Sequence, residues 1–239
     1  MPFRFPRLTP TVKKLLIVLV AAFVTIAVVQ NVGDLPVFQL LALDPHVMEG
    51  VWINLLWQPF TYWLAYPPVP DALFGFSLSL LFLYFFLAPF EEAFGAKRTV
   101  QLIAVAVAAS ALATIVLSLV LVPRMPIAGA EPIALAALGA FPIIAGNREI
   151  LFMFVIPMKV WSVILLGLGF SALAAVLARD PFVFATHASA LGAGLAFAKW
   201  ITRPRRPKKA PPKKRRPGPA LRVVPGGAAG DDERPRYLN

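Results

Sequence analysis

Long stretches without charged residues fill most of the chain up to about residue 200. A helix needs roughly 20 apolar residues to cross about 30 Å of hydrocarbon. Six stretches meet or approach that length, and they predict helices at about 15–33, 72–94, 99–123, 131–147, 158–178 and 182–200. The pattern predicts an all-α polytopic membrane protein in which residues 15–200 form a bundle of six transmembrane helices.

The composition agrees with a lipid environment. The chain is 59% apolar with a mean hydropathy of +0.74, whereas a soluble domain averages about 45 to 50% apolar. It has no cysteine, which excludes disulfides, thiolate metal sites and a cysteine nucleophile. No metal and no other cofactor is expected.

Basic residues are unevenly distributed, and they predict the orientation. Lys and Arg occur in residues 1–14, in the connections after the second and fourth predicted helices and after the sixth, whereas the first loop, 34–71, has none. By the positive-inside rule both termini are cytoplasmic. The first helix reads as an uncleaved anchor, and we expect a multi-pass protein of a bacterial plasma (inner) membrane.

The C-terminal segment, residues 201–239, carries most of the positive charge. Its proline-broken basic run predicts a disordered polybasic tail. Anionic lipid headgroups are the expected partner at a membrane surface. On charge alone an acidic protein or RNA is an alternative partner of the tail, although no nucleic acid is expected. A third interpretation is that the tail serves only to fix the membrane topology.

The first loop is rich in aromatic residues. Such residues are typical of the headgroup zone, so 34–71 is interpreted as an interfacial loop with an aromatic belt. Asp44 followed by Pro45 predicts a short interfacial helix from about 45 to 56. The belt aromatics are Trp52, Trp57, Tyr62, Trp63 and Tyr66.

Glu131 is the only charged residue between Arg124 and Arg148. A carboxylate inside an apolar segment indicates a functional site by default. Pro132 favours a structural interpretation, in which Glu131 is the N-cap of the fourth helix. A hydrogen bond to His187 and a catalytic or proton-carrying role are the alternatives.

A second pair of glutamates, Glu91 and Glu92, ends the second predicted helix. Lys97 and Arg98 follow closely. The sequence predicts a salt-bridged turn between the second and third helices.

Several motifs occur in an order that resembles the rhomboid family of intramembrane proteases. The resemblance covers residues 15–200 and implies the six-helix fold of that family. Its motifs are WQPFTY at 57–62, LYF at 83–85 with EEAFG at 91–95, GAEPI at 129–133 with LGAF at 138–141, NREI at 147–150, IPMK at 156–159 and THASALGAG at 186–194.

The resemblance also implies a degenerate catalytic site. The position of the family's serine nucleophile is Glu131, and the glycine after it is Pro132. The histidine base matches His187, while the two oxyanion donors of the second helix fall on Gly75 and Ser79.

One further family position, a first-loop arginine, is Gln58. Acyl transfer needs an activated nucleophile and oxyanion donors, and a carboxylate is a poor acyl nucleophile. A serine does occur at Ser171, but mid-helix in the fifth segment, and it is not interpreted as a nucleophile. The chain therefore resembles a catalytically inactive rhomboid.

The function expected from the resemblance is that of a membrane pseudoprotease. It would bind transmembrane segments of client proteins without cleaving them, near the second and fifth helices. One alternative is an active rhomboid-type intramembrane serine endopeptidase with a non-standard site. Another is a small transporter or proton relay that uses Glu131 and His187.

Overall fold

The computed structural model describes residues 6–44, 52–121, 125–146, 149–152 and 156–203. This part of the chain contains eight α-helices, two short 3-10 turns and one β-hairpin. The helices are α1 (Pro10–Gly33), α2 (Val37–Leu41), α3 (Gln58–Thr61), α4 (Ala72–Phe94), α5 (Ala96–Ser118), α6 (Glu131–Ala145), α7 (Val160–Ala178) and α8 (Pro181–Thr202). The 3-10 turns are Trp52–Leu56 and Tyr62–Leu64, and the strands are β1 (Glu149–Phe152) and β2 (Ile156–Lys159).

The prediction of an all-α polytopic membrane protein is confirmed. Helices α1, α4, α5, α7 and α8 are long and apolar enough to cross a membrane. Helix α6 is also apolar but has 15 residues, which gives it a length of about 22 Å. It corresponds to the fourth helix of the sequence pattern, the shortest of the six.

A β-hairpin between α6 and α7 is the element that the apolar pattern missed. Strands β1 and β2 are antiparallel, with Glu149 opposite Lys159. Pro157 lies inside β2 and has no N–H to offer a helix interior. Helix α7 begins at Val160, not at about 158, because residues 156–159 belong to β2.

Helix α6 is the centre of the bundle, and α8 approaches its backbone directly. A Cβ added to Gly194 would lie 2.7 Å from the Cα atom of Ala136, and one added to Gly139 would lie 2.9 Å from the carbonyl carbon of Leu191. Both distances are too short for any residue but glycine. Small residues thus let two helices meet without side chains between them.

The start of α1 is held by a glutamate from α4. The Glu91 carboxylate accepts hydrogen bonds from the Thr9 hydroxyl (2.5 Å) and from the backbone N–H groups of Thr11 and Val12 (3.1 Å each). The first N–H groups of a helix have no partner within it. Glu91 therefore caps α1 from a neighbouring helix.

The predicted salt-bridged turn after α4 is wrong. Glu92 accepts a hydrogen bond from the backbone N–H of Arg7 (3.1 Å). Arg98 donates to Gln101 (2.8 Å) and lies over the Trp200 ring, with 5.6 Å between the guanidinium carbon and the ring centroid. The glutamates bind the N-terminal segment because it brings unpaired N–H groups to them.

The first loop enters the bundle more deeply than an aromatic belt would. Tyr62 and Tyr66 are buried, and the Tyr62 hydroxyl donates to the carbonyl of Val107 (3.1 Å). For these two tyrosines the belt interpretation is wrong. Of the predicted interfacial helix, residues 45–51 lie outside the described residues, and residues 52–56 form a 3-10 turn.

Gln58, which occupies the family's arginine position, fixes the first loop through side-chain hydrogen bonds. Its side chain is fully buried. Its amide oxygen accepts from the Asp44 N–H (3.2 Å), and its amide nitrogen donates to the carbonyl of Gln39 (3.3 Å). Gln58 thereby joins α3 to the chain that follows α1. The predicted disordered tail lies outside the described residues from position 204 onward.

Candidate functional site

Glu131 is the first residue of α6 and not its N-cap. Ala130 occupies the N-cap position, and Glu131 and Pro132 are the first two helical residues. Proline is tolerated there because the first N–H groups of a helix lack intrahelical partners. The N-cap prediction is wrong by one position, and Glu131 projects from the first turn.

The segment before α6 is anchored to the first loop. Leu43 and Ile127 form a two-way backbone bridge (2.8 Å for each hydrogen bond), and the Gly129 N–H donates to the carbonyl of Tyr62 (3.0 Å). Gly129 has a φ of 104°, which favours glycine. A Cβ at Gly129 would also lie 2.9 Å from the carboxyl carbon of Glu131, so the carboxylate lies over this glycine.

Tyr66, Ser79, Ala130 and Glu131 form a polar group that we call the Glu131 cluster. The Tyr66 hydroxyl accepts from the Ala130 N–H (2.8 Å), lies 2.8 Å from the Ser79 hydroxyl and donates to Glu131 Oε1 (3.3 Å). Burial raises the pKa of the Tyr66 hydroxyl, and the charge of Glu131 raises it further. Tyr66 therefore keeps its proton and serves as a donor to the carboxylate.

Gly75 leaves open space beside this cluster. It precedes Ser79 by one helical turn, so both lie on one face of α4. A Cβ at Gly75 would have no neighbour within 4 Å, and Gly75 itself is exposed. Glu131 is partly exposed. An exposed surface therefore begins at Gly75, one helical turn before Ser79 of the cluster.

His187 belongs to a different polar contact. Its Nδ1 atom lies 2.8 Å from the Ser171 hydroxyl, and Ser171 is buried at 6% exposure. No hydrogen bond joins Glu131 to His187 in the described part of the chain. The structure therefore brings together Ser79 and Glu131, with Gly75 on the adjoining face, and leaves His187 paired with α7.

The sequence contained a signal for the Ser171–His187 pair. Helices α7 and α8 are joined by a tight turn at Arg179 and Asp180. Ser171 lies eight residues before Arg179 and His187 eight residues after it. Residues equally far from such a turn lie at the same level of two neighbouring antiparallel helices, which places this serine beside this histidine.

The pair also attaches the second half of α7 to the bundle. The buried apolar residues of α7 are Val160, Val163 and Ile164, all in its first two turns. Beyond them Ser171 is the buried residue. Its hydrogen bond to His187 is therefore the main polar attachment of that half.

The chemistry available to each group differs. Ser171 and His187 lie within the reach that proton transfer requires, but Ser171 is in the interior of α7, where backbone N–H groups are bonded to the preceding turn. The Glu131 cluster has a carboxylate, and its serine hydroxyl, Ser79, is bonded to Tyr66. Within the described ranges, no group of three or more His, Asp or Glu residues could hold a metal ion.

A comparison with protein families places these residues in context. The family model for the rhomboid domain matches residues 55–204, well over half of the chain. No curated protein matches the chain. The matched range contains α3 to α8 and the positions of Gly75, Ser79, Glu131 and His187.

Proposed function

The chain belongs to the rhomboid family, and on that premise we propose that it is a membrane pseudoprotease that binds transmembrane segments of client proteins without cleaving them. The observation that carries the proposal is the Glu131 cluster. The position of the family's serine holds a carboxylate that accepts from Tyr66 (3.3 Å). His187, the expected base, contacts Ser171 instead.

The cluster also lacks free donors for an oxyanion. Stabilising that charge takes donors directed at it, and the loss of one costs roughly 3 to 4 kcal/mol. Here the Ala130 N–H donates to Tyr66, Pro132 has no N–H, and Gly75 has no side chain. The hydrogen-bond donors of the former site are used within the protein or missing from it, which supports a non-catalytic role.

The arrangement of helices supports lateral binding of a client helix. Helices α4 and α7 each pack against α6 or α8, and they share no extensive contact with each other. Apolar side chains are exposed on both, including Phe74 at the start of α4 and Val176 and Leu177 near the end of α7. A client segment between α4 and α7 would cover these side chains and reach the open space at Gly75.

In-membrane photo-crosslinking tests this proposal. A photoreactive residue at positions 73 to 79 should trap a discrete single-span partner, while the same residue at Val116, which is exposed on α5, serves as the control. The trapped partner should keep its full length. Equal labelling from both places, or none from α4, would remove the support for client binding.

The Ser171–His187 contact favours a second candidate, a hydrolase with a relocated serine and histidine. Purified protein would then cleave a transmembrane substrate, and both Ser171→Ala and His187→Ala would abolish the cleavage, while Glu131→Gln would not. Cleavage that survives Ser171→Ala excludes this candidate. The proton relay has no comparable support, because Glu131 and His187 lie in separate hydrogen-bonded groups.

We also propose a bacterial plasma membrane, cytoplasmic termini and a tail that binds anionic headgroups, on the distribution of Lys and Arg. The chain has no cysteine, so single cysteines introduced at Asp71 and Arg205 are unique labels. A membrane-impermeant thiol reagent added to intact cells should label the first and not the second.

A further inference from the structure

We propose that the Glu131 cluster selects client transmembrane segments that carry a lysine or arginine side chain in the half of the bilayer nearest the first loop. This inference rests on the proposed function and names the chemistry of its client. It rests on what this position offers a ligand, which is a carboxylate that accepts hydrogen bonds where the family has a serine hydroxyl.

The donors of the cluster are already used, whereas its acceptors are not. The Ala130 N–H donates to Tyr66, and the hydroxyls of Tyr66 and Ser79 are bonded to each other. The carboxylate of Glu131 accepts a hydrogen bond from Tyr66 at 3.3 Å and also interacts with its own backbone N–H and with the Ser79 hydroxyl. A carboxylate has about four acceptor positions, so what the cluster offers a ligand is an acceptor with negative charge.

No basic residue of the described chain compensates that charge. The described basic residues, Arg179 excepted, belong to the opposite end of the bundle: Arg7, Lys13, Lys14, Lys97, Arg98, Lys159, Lys199 and Arg203. A charge in a membrane interior is costly unless it meets a partner or water. A cation brought by a client would supply that partner, and the attraction strengthens as the client excludes water.

The exposed first turn of α4 can accommodate a long side chain with an apolar stem. Open space lies at Gly75, and Leu73 and Phe74 expose apolar surface beside it. Lysine and arginine bury their methylene stems on such surfaces and extend the charge toward a polar group. The first turn of α4 would hold the stem while Glu131 binds the charge.

The charge of the whole end of the bundle has the same sign. Among the described residues, helix ends and connections around the first loop carry Asp34, Asp44, Asp71 and Asp180, against Arg179. The sequence adds Glu49 and Arg124 in these connections, so acidic residues still predominate. A potential of one sign over a cleft raises the local concentration of the opposite charge. This fixes the half of the bilayer in which the client's basic residue must lie.

Binding of matched single-span peptides to the full chain in lipid nanodiscs tests the inference. One leucine–alanine peptide carries lysine in the first-loop half, a second carries glutamine there, a third carries glutamate, and a fourth has the lysine in the other half. We expect the first to bind at least tenfold more tightly than the other three. The preference should vanish in Glu131→Gln and reverse toward the glutamate peptide in Glu131→Lys.

Asp71→Asn is the matched control, because it removes an exposed carboxylate at the same end without touching the cluster. It should leave the preference for lysine intact. Equal binding of the lysine and glutamine peptides to the unsubstituted chain would overturn the inference and leave client binding standing. A preference that persists in Glu131→Gln would also overturn it, whereas failure of every peptide to bind would overturn the proposed function as well.

Discussion

Glu91 and Glu131 are both carboxylates in apolar helices of one bundle, yet they have opposite surroundings. Glu91 is 6% exposed and accepts three hydrogen bonds of 3.1 Å or less. Glu131 is partly exposed and accepts one from a side chain at 3.3 Å. A glutamate within a membrane bundle is therefore structural where donors saturate it and available to a ligand where they do not.

The source of the donors explains the difference. Glu91 meets the start of another helix, where unpaired N–H groups and the positive end of the helix dipole coincide. Glu131 lies at the start of its own helix, and the next residue, Pro132, has no N–H. The two sites can be distinguished by substitutions whose effects fall in a definite order.

Glu91→Ala should have the largest effect, a loss of about 3 kcal/mol in the free energy of unfolding, because two buried donors and one partly buried donor lose a charged acceptor. Unfolding in mixed detergent micelles measures it. Glu92→Ala is the control, since Glu92 is exposed and accepts one N–H. Equal losses in the two variants would contradict the capping role of Glu91.

Tyr66→Phe should cost about 2 kcal/mol, because the buried Ala130 N–H and the Ser79 hydroxyl lose their partner. Tyr84→Phe is the matched control, as the Tyr84 hydroxyl donates to the carbonyl of Pro6 in a partly buried contact. The same unfolding assay applies. A loss for Tyr66→Phe no greater than that of the control would show that the Glu131 cluster is not a connected unit.

Thr9→Val should cost about 1 kcal/mol, since it removes one of the three donors to Glu91 and keeps the shape of the side chain. In the Glu91→Ala background the same substitution should cost little. A double-mutant cycle measures the coupling. Additive losses would mean that the Thr9 hydroxyl acts independently of Glu91.

Glu131→Gln should have the smallest effect on stability, within about 0.5 kcal/mol, because the amide keeps an acceptor for Tyr66 and removes an uncompensated charge. A loss of unfolding free energy comparable to that of Glu91→Ala would show that Glu131 is a structural residue, as Glu91 is. The expected result is unchanged unfolding together with lost selection of basic clients.

Hydropathy predicted the membrane helices because each needs a long uncharged run whatever its neighbours are. Hydropathy could not predict that Tyr66 is buried in the bundle, since an aromatic residue in a first loop fits the headgroup zone equally well. The sequence interpretation assigned Glu91 to ion pairs because Lys97 and Arg98 are near in sequence. The donors that hold Glu91 lie about 80 positions away.

The motif positions were more informative than the pattern about the site. They singled out Ser79 and Glu131, which the structure joins through the Tyr66 hydroxyl, a contact that was not predicted. The sequence reasoning considered a contact of His187 with Glu131 and missed its contact with Ser171, although both residues lie eight positions from the turn at Arg179. It also could not show how far the chain before α6 is fixed by Tyr62 and Gly129.

The direct contact of α6 with α8 has a consequence for how the protein is made. Helix α6 is short and central, but Gly194, which fits against Ala136, is synthesised more than 50 residues later. At roughly 5 to 20 residues per second, several seconds separate the two. During that interval α6, about 22 Å long, must stay in the membrane beside α4 and α5 without α8. A chain truncated before α8 would leave uncovered the side of α6 that packs against α8. Such a chain would be a substrate for quality-control proteases.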